Sequence, residues 1–286
     1  MAQLGIHTLA LTPLWSPDDA DRLLSPCRAQ GVSLVEVPLL DPTTFDSIGT
    51  RRAVERNKMD IVCSLGLPAT IDIVNDPETV VGFLGAVLKA AKEAGAPALS
   101  GVTYGTIGKV SGAPRTKAET EALIRLIARV AAIAKGLGMR LGIEPCNRYE
   151  THLMNTGADG AWFVEQAGAD NVFVHLDTYH MNIEEAGMAQ GIRDAGRHLG
   201  YVHMSESNRG VPGRGTINWA DTIKGLKEIG FNGPLTVESF VFVAPEIAAG
   251  LAVWRPVAER AADVIEVGLP FLREQARLAG FALSGT

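Results

Sequence analysis

A chain of 286 residues, 47% hydrophobic and 20% charged, has the composition of a soluble globular protein and the length of one α/β barrel. No segment approaches the ~20 uninterrupted apolar residues of a membrane span, and a formal net charge of −6 offers no basic footprint for nucleic acid. Cys27, Cys63 and Cys146 are scattered, with neither metal-finger spacing nor an even count for a disulfide framework. The opening MAQLGIHTLAL has no basic leader before its apolar stretch, so a cytoplasmic location is expected.

Short apolar runs alternate with amphipathic stretches, the pattern of βα units building a parallel sheet. The first run, LGIHTL from Leu4, is followed by Ser16 and Pro17, an N-cap and first-turn proline. SLVEVPL from Ser33 comes second and MDIVCSL from Met59 third. Asp76 and Pro77 then repeat the cap-and-proline device, and Gly95 would end that helix. After ALSGVTY from Ala98, Thr116 and Glu119 fit a capping box, with Leu123, Ile127, Val130, Ala134 and Leu137 at helical spacing on one face. RLGIEP from Arg140, VFVHLD from Val172, YVHMS from Tyr201 and LTVESF from Leu235 complete eight candidate strands. Eight is the number that closes a (β/α)8 TIM barrel, and a single barrel domain spanning 1–286 is expected. A doubly wound open sheet would carry a glycine fingerprint after its first strand, which the sequence lacks.

Active sites of such barrels lie at the C-terminal ends of the strands. Glu144, Asp177, His203 and Glu238 fall at or near those ends on the fifth to eighth runs. Taken singly, each has a plainer reading: a carboxylate capping the next helix, Glu144 paired with Arg148, a satisfied core histidine. Together, three converging carboxylates repel unless a cation compensates them. Three carboxylates and one imidazole suit a hard divalent cation rather than structural zinc.

Glu150, His180 and Arg209 lie just beyond the fifth, sixth and seventh strands. There they hold a substrate's hydroxyls, or are a loop charge, a helix-start neighbour and a surface cation. Asn182 and Glu185 read as a helix start. The loop SNRGVPGRG from Ser207 carries enough glycine for close approach to a ligand, phosphate included. His7, Trp15 and Cys63 wall the pocket or simply pack. Glu36 is a pocket residue or a buried structural acid, and His152, His175 and His198 carry no assignment.

On GIEPCNRYE from Gly142, LDTYHMNIEE from Leu176, HMSESNRG from His203 and VESF from Val237, the chain resembles the ketose 3-epimerases. These are the D-tagatose, D-allulose (psicose) and L-ribulose 3-epimerases within the xylose-isomerase-like TIM barrels. The resemblance implies that Glu144, Asp177, His203 and Glu238 bind Mn²⁺, with Co²⁺ or Mg²⁺ as alternatives, and that Glu144 and Glu238 carry the proton chemistry. It implies further that Glu150, His180 and Arg209 grip the substrate near its carbonyl, that His7, Trp15, Cys63 and Phe240 line its far end, and that the chain forms a homodimer or homotetramer. Many members have proline after the last glutamate, where Ser239 stands here, and an aromatic at the place of His7. Both departures bear on substrate preference rather than on reaction class.

The expected reaction is epimerisation of a free ketose at C3, as in D-fructose/D-allulose, D-tagatose/D-sorbose or L-ribulose/L-xylulose. With a cation polarising the carbonyl, one glutamate removes the C3 proton to give a cis-enediolate and the other returns a proton on the opposite face. A free sugar is preferred over a sugar phosphate because no basic cluster beyond Arg209 and Arg214 converges on the mouth. The nearest alternative is an aldose–ketose isomerase or dehydratase of the same barrel group, acting on hydroxypyruvate or inosose. Apurinic endonuclease barrels need more histidines and a DNA groove, and a sugar or metal sensor would not need paired glutamates.

Overall fold

Each of the eight expected strands forms in a computed structural model of the chain, whose described residues are 1–241, 243, 248 and 250–284. They are β1 (Gln3–His7), β2 (Leu34–Pro38), β3 (Asp60–Gly66), β4 (Ala98–Val102), β5 (Arg140–Ile143), β6 (Val172–Asp177), β7 (Leu199–His203) and β8 (Pro234–Val237). All neighbours pair in parallel, and β1 with β8 closes the barrel. The (β/α)8 expectation is borne out.

Local chemistry explains the helices that fill the gaps: α1 (Ala20–Ala29), α2 (Ser47–Arg56), α3 (Pro77–Glu93), α4 (Lys117–Gly136), α5 (Gly157–Ala167), α6 (Thr178–Glu184), α7 (Met188–Ala195), α8 (Trp219–Glu228) and α9 (Leu269–Leu278). Ser16 caps a 3-10 turn, Pro17–Asp19, that leads into α1. Asp76 accepts from the Thr79 amide at the start of α3, and Gly95 follows its end at φ 90°, a left-handed setting that favours glycine. Thr116 and Glu119 form the reciprocal capping box of α4. That helix buries Leu123, Ile127, Val130 and Ala134 on one stripe. One expectation fails locally, because Asn182 lies inside α6 and Glu185 at its C-terminal cap. The helix starts at once after β6, where the Asp177 carboxylate accepts from the Tyr179 amide at 2.7 Å. No helix among the described residues is long and apolar enough to cross a membrane.

Strand alternation divides the barrel into two environments. The larger core lies between sheet and helices and includes Val35, Val37, Cys63, Leu99 and Leu141. Inside the barrel, Leu34, Val62, Ala98, Phe173 and Tyr201 form a separate apolar plug. A Cβ on Gly200 would stand 2.7 Å from Phe173, so that glycine makes room for this ring of the plug. Above the plug the lumen turns polar, with Glu36, Ser100, His175, His203 and Thr236 all buried. That polar layer is the floor of the site.

Candidate active site

Asp177 and His203 are the last residues of β6 and β7, whereas Glu144 and Glu238 each stand one residue beyond β5 and β8. The parallel register sets Asp177 beside His203, and the four side chains meet around one atom. His203 Nδ1 lies 3.3 Å from Glu238, 3.7 Å from Glu144 and 3.9 Å from Asp177. It is buried and has no hydrogen-bond partner among the described residues. Ligand atoms of Asp177, His203 and Glu238 all lie within 4.8 Å of one another, as do those of Glu144, His175 and His203. An imidazole nitrogen without a partner, facing three carboxylates, fits a hard divalent cation.

The electrostatics agree. Burial, with Glu238 and Asp177 adding repulsion against the pull of His203, holds Glu144 well above the usual carboxylate range. Glu238 is pushed up to about 8, again mainly by burial, with Asp177 adding to it. Burial opposes charging His203, yet Glu36, Glu238 and Glu144 outweigh it and hold the imidazole well above its ordinary value. Without a cation, the raised carboxyl groups favour keeping protons that a bound metal would displace.

Next to this cluster stands a second group. Arg209 donates to Glu150 at 2.7 Å and to Glu238 at 3.3 Å, while its guanidinium lies 3.9 Å from the Tyr179 ring centroid and 4.9 Å from that of Phe240. Arg209 Nε and Glu150 Oε2 are buried without hydrogen-bond partners among the described residues, a donor and an acceptor suited to hydroxyls. His180 accepts the Asn147 amide proton on Nδ1 at 3.1 Å, and burial lowers its pKa to about 3. Its single proton therefore sits on Nε2, which faces Glu144 at 3.8 Å and Asp177 at 3.9 Å. This tautomer makes His180 a hydrogen-bond donor into the site and a poor metal ligand.

A cavity of about 110 Å³ opens beside the cluster, with Glu144, His203 and Glu238 on one wall and His7, Phe240 and Leu251 on others. Two expected pocket residues stand elsewhere. Cys63 is fully buried in the layer between sheet and helices, because Val62 belongs to the inner plug and the next inward position is Ser64, which does line the cavity. Trp15 lines a neighbouring cleft of about 380 Å³ with Phe45, and its indole N–H is held by Thr50 Oγ1 at 3.0 Å.

Other side chains organise the site without having been singled out. Asn147 donates to Glu150 at 3.0 Å while its amide N–H holds His180. Ser205 donates to both Asp177 and Glu238 at 3.2 Å. Glu206, fully buried, accepts from the amides of Ser207, Gly213 and Ile217 and from the Trp219 indole, so these amides of the glycine-rich loop turn to a carboxylate of the chain itself rather than to phosphate. Ser239, at the place of a family proline, ties β8 to that loop by donating to the Arg209 carbonyl at 3.0 Å. Asn147 and Glu206 lie inside the quoted motifs, beside the named residues, and adjacency was the only signal. Among the unassigned histidines, His175 pairs with Ser100 at 3.0 Å, His152 with Glu119 and His198 with Glu165.

Comparison with known proteins agrees with this geometry. Residues 2–266 match the family model described as xylose isomerase-like TIM barrel. The chain is 34% identical over 279 residues to an L-ribulose 3-epimerase of Methylomonas sp., covering 96% of this chain and 97% of the relative. It is 35% identical over 259 residues to a ketose 3-epimerase of Arthrobacter globiformis, with coverage of 88% and 89%. Among solved structures, a D-allulose 3-epimerase from Methylomonas sp. in complex with D-allulose superposes with a TM-score of 0.90 at 34% identity, covering 96% of this chain and 97% of the other. The chain therefore belongs to the xylose isomerase-like TIM barrel family, in its ketose 3-epimerase group.

Proposed function

We propose that this protein is a divalent-metal-dependent ketose 3-epimerase acting on a free ketose. The observation that carries the reading is the pair of buried glutamates, Glu144 and Glu238, which reach the same imidazole nitrogen from β5 and β8. Two acid–base groups from different staves suit removal of a proton from one face of a carbon and its return to the other. The relatives named above, and the one solved with D-allulose, support the substrate class.

Glu144, Asp177, His203 and Glu238 would hold the cation, with Mn²⁺ preferred over Co²⁺ or Mg²⁺. A bound cation supplies carbonyl polarisation and makes the neighbouring C–H more acidic. Either Glu144 or Glu238 then takes the C3 proton and the other returns one. The negative charge that develops on the C2 oxygen is met by the Nε2–H of His180 and by Arg209, both already oriented before substrate arrives. Glu150 and Arg209 present their free acceptor and donor to hydroxyls, and His7 and Phe240 wall the far end. Assembly as a homodimer or homotetramer belongs to the same reading.

The test is to incubate Mn²⁺-loaded protein with a panel of ketoses in D₂O and follow C3 configuration and deuterium by NMR. A C3 epimer with solvent deuterium at C3 is expected, and an aldose or dehydrated product would support the isomerase or dehydratase alternative instead. Glu144→Gln and Glu238→Gln should each lower turnover about 10²–10⁴-fold.

A further inference from the structure

Glu36 lies on β2 with its carboxylate fully buried in the lumen. Its Oε2 accepts from His203 Nε2 at 2.7 Å and from the Tyr201 hydroxyl at 2.7 Å, and that hydroxyl is 2.6 Å from Thr236 Oγ1. Its Oε1 has no hydrogen-bond partner among the described residues and stands 3.7 Å from His7 Nε2. His7 Nδ1 accepts the Leu9 amide proton at 3.1 Å, so the proton of its neutral ring sits on Nε2 and points at Glu36.

We propose that Glu36 is a positioning residue for the metal centre, holding the His203 proton on Nε2 so that the Nδ1 lone pair is presented to the cation, and that His7 braces its second oxygen from the pocket wall. The inference rests on the metal-site reading above and concerns residues outside the ligand set. An imidazole has two tautomers. The one with hydrogen on Nδ1 would aim an N–H at the cation and leave Nε2 as an acceptor against a carboxylate, which cannot donate to it. A carboxylate behind a ligating histidine selects the productive tautomer and makes the ring a stronger donor.

The surroundings fix Glu36 as firmly as it fixes His203. Tyr201 reaches Oε2 from β7 with its hydroxyl held by Thr236 of β8, and the His7 and His203 rings meet edge to face with centroids 5.9 Å apart. A buried carboxylate is costly by itself, and polar groups on β1, β7 and β8 surround it, of which His203 belongs to the ligand cluster. His7 turns its polar edge toward Glu36 and so offers the sugar pocket its carbon face, in keeping with its place among Phe240 and Leu251.

The test uses purified full-length protein stripped of metal and titrated with Mn²⁺, free Mn²⁺ being read by electron paramagnetic resonance. Glu36→Gln should weaken Mn²⁺ binding about 10–100-fold, because a neutral amide removes the negative charge behind the His203 N–H and turns an NH₂ toward the His7 N–H. Tyr201→Phe removes a buttress but leaves the carboxylate and should keep Mn²⁺ affinity within about threefold of wild type while lowering the melting temperature. Nitrogen-15 NMR of histidine-labelled protein loaded with diamagnetic Mg²⁺ should show His203 protonated on Nε2 in the wild type and tautomer mixing in Glu36→Gln. Should Glu36→Gln fail to fold, Glu36→Asp, with its carboxylate one methylene short of His203, repeats the measurement with at least about tenfold weaker binding expected. Wild type and Glu36 variants that bind Mn²⁺ equally would overturn the positioning role and leave the metal centre standing. A wild type that takes up no Mn²⁺ would overturn the metal centre and this role with it.

Discussion

Glu206→Gln tests whether the loop that delivers Arg209 is built by one buried carboxylate. Oε1 of Glu206 accepts from Ser207 and Ile217 at 2.9 and 3.0 Å, and Oε2 from Gly213 and the Trp219 indole at 2.8 and 3.1 Å. Glutamine has nearly the same shape but only one acceptor oxygen, so two of the four N–H groups must face an NH₂. Each stranded donor costs about 1–3 kcal/mol, hence about 2–6 kcal/mol in all. That is a large share of the roughly 5–15 kcal/mol that stabilises a folded protein. The fold need not pay it globally, because a surface loop can open locally for less. Arg209 holds a left-handed backbone at φ 58°, a setting that costs a non-glycine residue about 1–2 kcal/mol and that opening would release.

Hydrogen exchange read by mass spectrometry should therefore rise in residues 207–219 with little change in the β-strands. Activity on the best ketose should fall about 10²-fold, the scale set by a misplaced positioning group. Glu206→Ala is the less informative change, since it also opens a cavity. Unchanged exchange in 207–219 together with kcat/KM within about twofold of wild type would refute the argument.

Two further outcomes follow from the site and the barrel floor. Metal affinity should rise with pH: burial holds Glu144 upward and Glu238 at about 8 in the metal-free protein, so at lower pH a cation must displace their protons. The sign for stability is opposite, since acids raised in the folded state favour folding below their folded values and lose that contribution as pH climbs through about 8. Mn²⁺ titration by calorimetry from about pH 6 to 9 checks the first and urea unfolding of the metal-free protein over the same range checks the second, and a flat affinity would contradict the electrostatics. Gly200→Ala drives a methyl to 2.7 Å from Phe173 and should cost about 1–3 kcal/mol in urea unfolding, with kcat nearly unchanged because the plug lies at the stability end of the barrel; a silent substitution would mean the plug has slack.

Much of this was legible in the sequence because each strand is a short apolar run between helices, and the residues proposed as ligands sit at the ends of those runs. Boundaries moved only slightly, as with β7, which begins at Leu199 rather than Tyr201. Cys63 was misplaced for a definite reason. Barrel strands are buried on both faces, so the apolar alternation that tells inside from outside is missing, and Val62-Cys63-Ser64 gives no parity. The supports were illegible for a different reason. Glu36 and His203 are 167 residues apart, and nothing local in LVEVP announces a partner on another stave.

Those supports are what make the electrostatics of the mouth intelligible. Glu36, Glu144, Glu150, Asp177 and Glu238 are all buried in the barrel mouth, and the buried guanidinium of Arg209 meets two of them, Glu150 and Glu238. Burial alone opposes its charge, but Glu150 and Glu238 hold its pKa above the ordinary value, so it remains a fixed cation. A guanidinium and an imidazole face five buried carboxyl groups, two of which burial holds toward their protonated forms, and a core selected for stability would replace such a group with apolar side chains. The division of partners shows what the excess is for. Glu150 meets Arg209 and Glu36 the rear of His203, while Glu144, Asp177 and Glu238 face its front, Glu238 also accepting from Arg209. Glu144, Asp177 and Glu238, the carboxylates proposed to bind the cation, lie at or one residue beyond the C-terminal ends of β5, β6 and β8, whereas Glu36 approaches His203 from within β2.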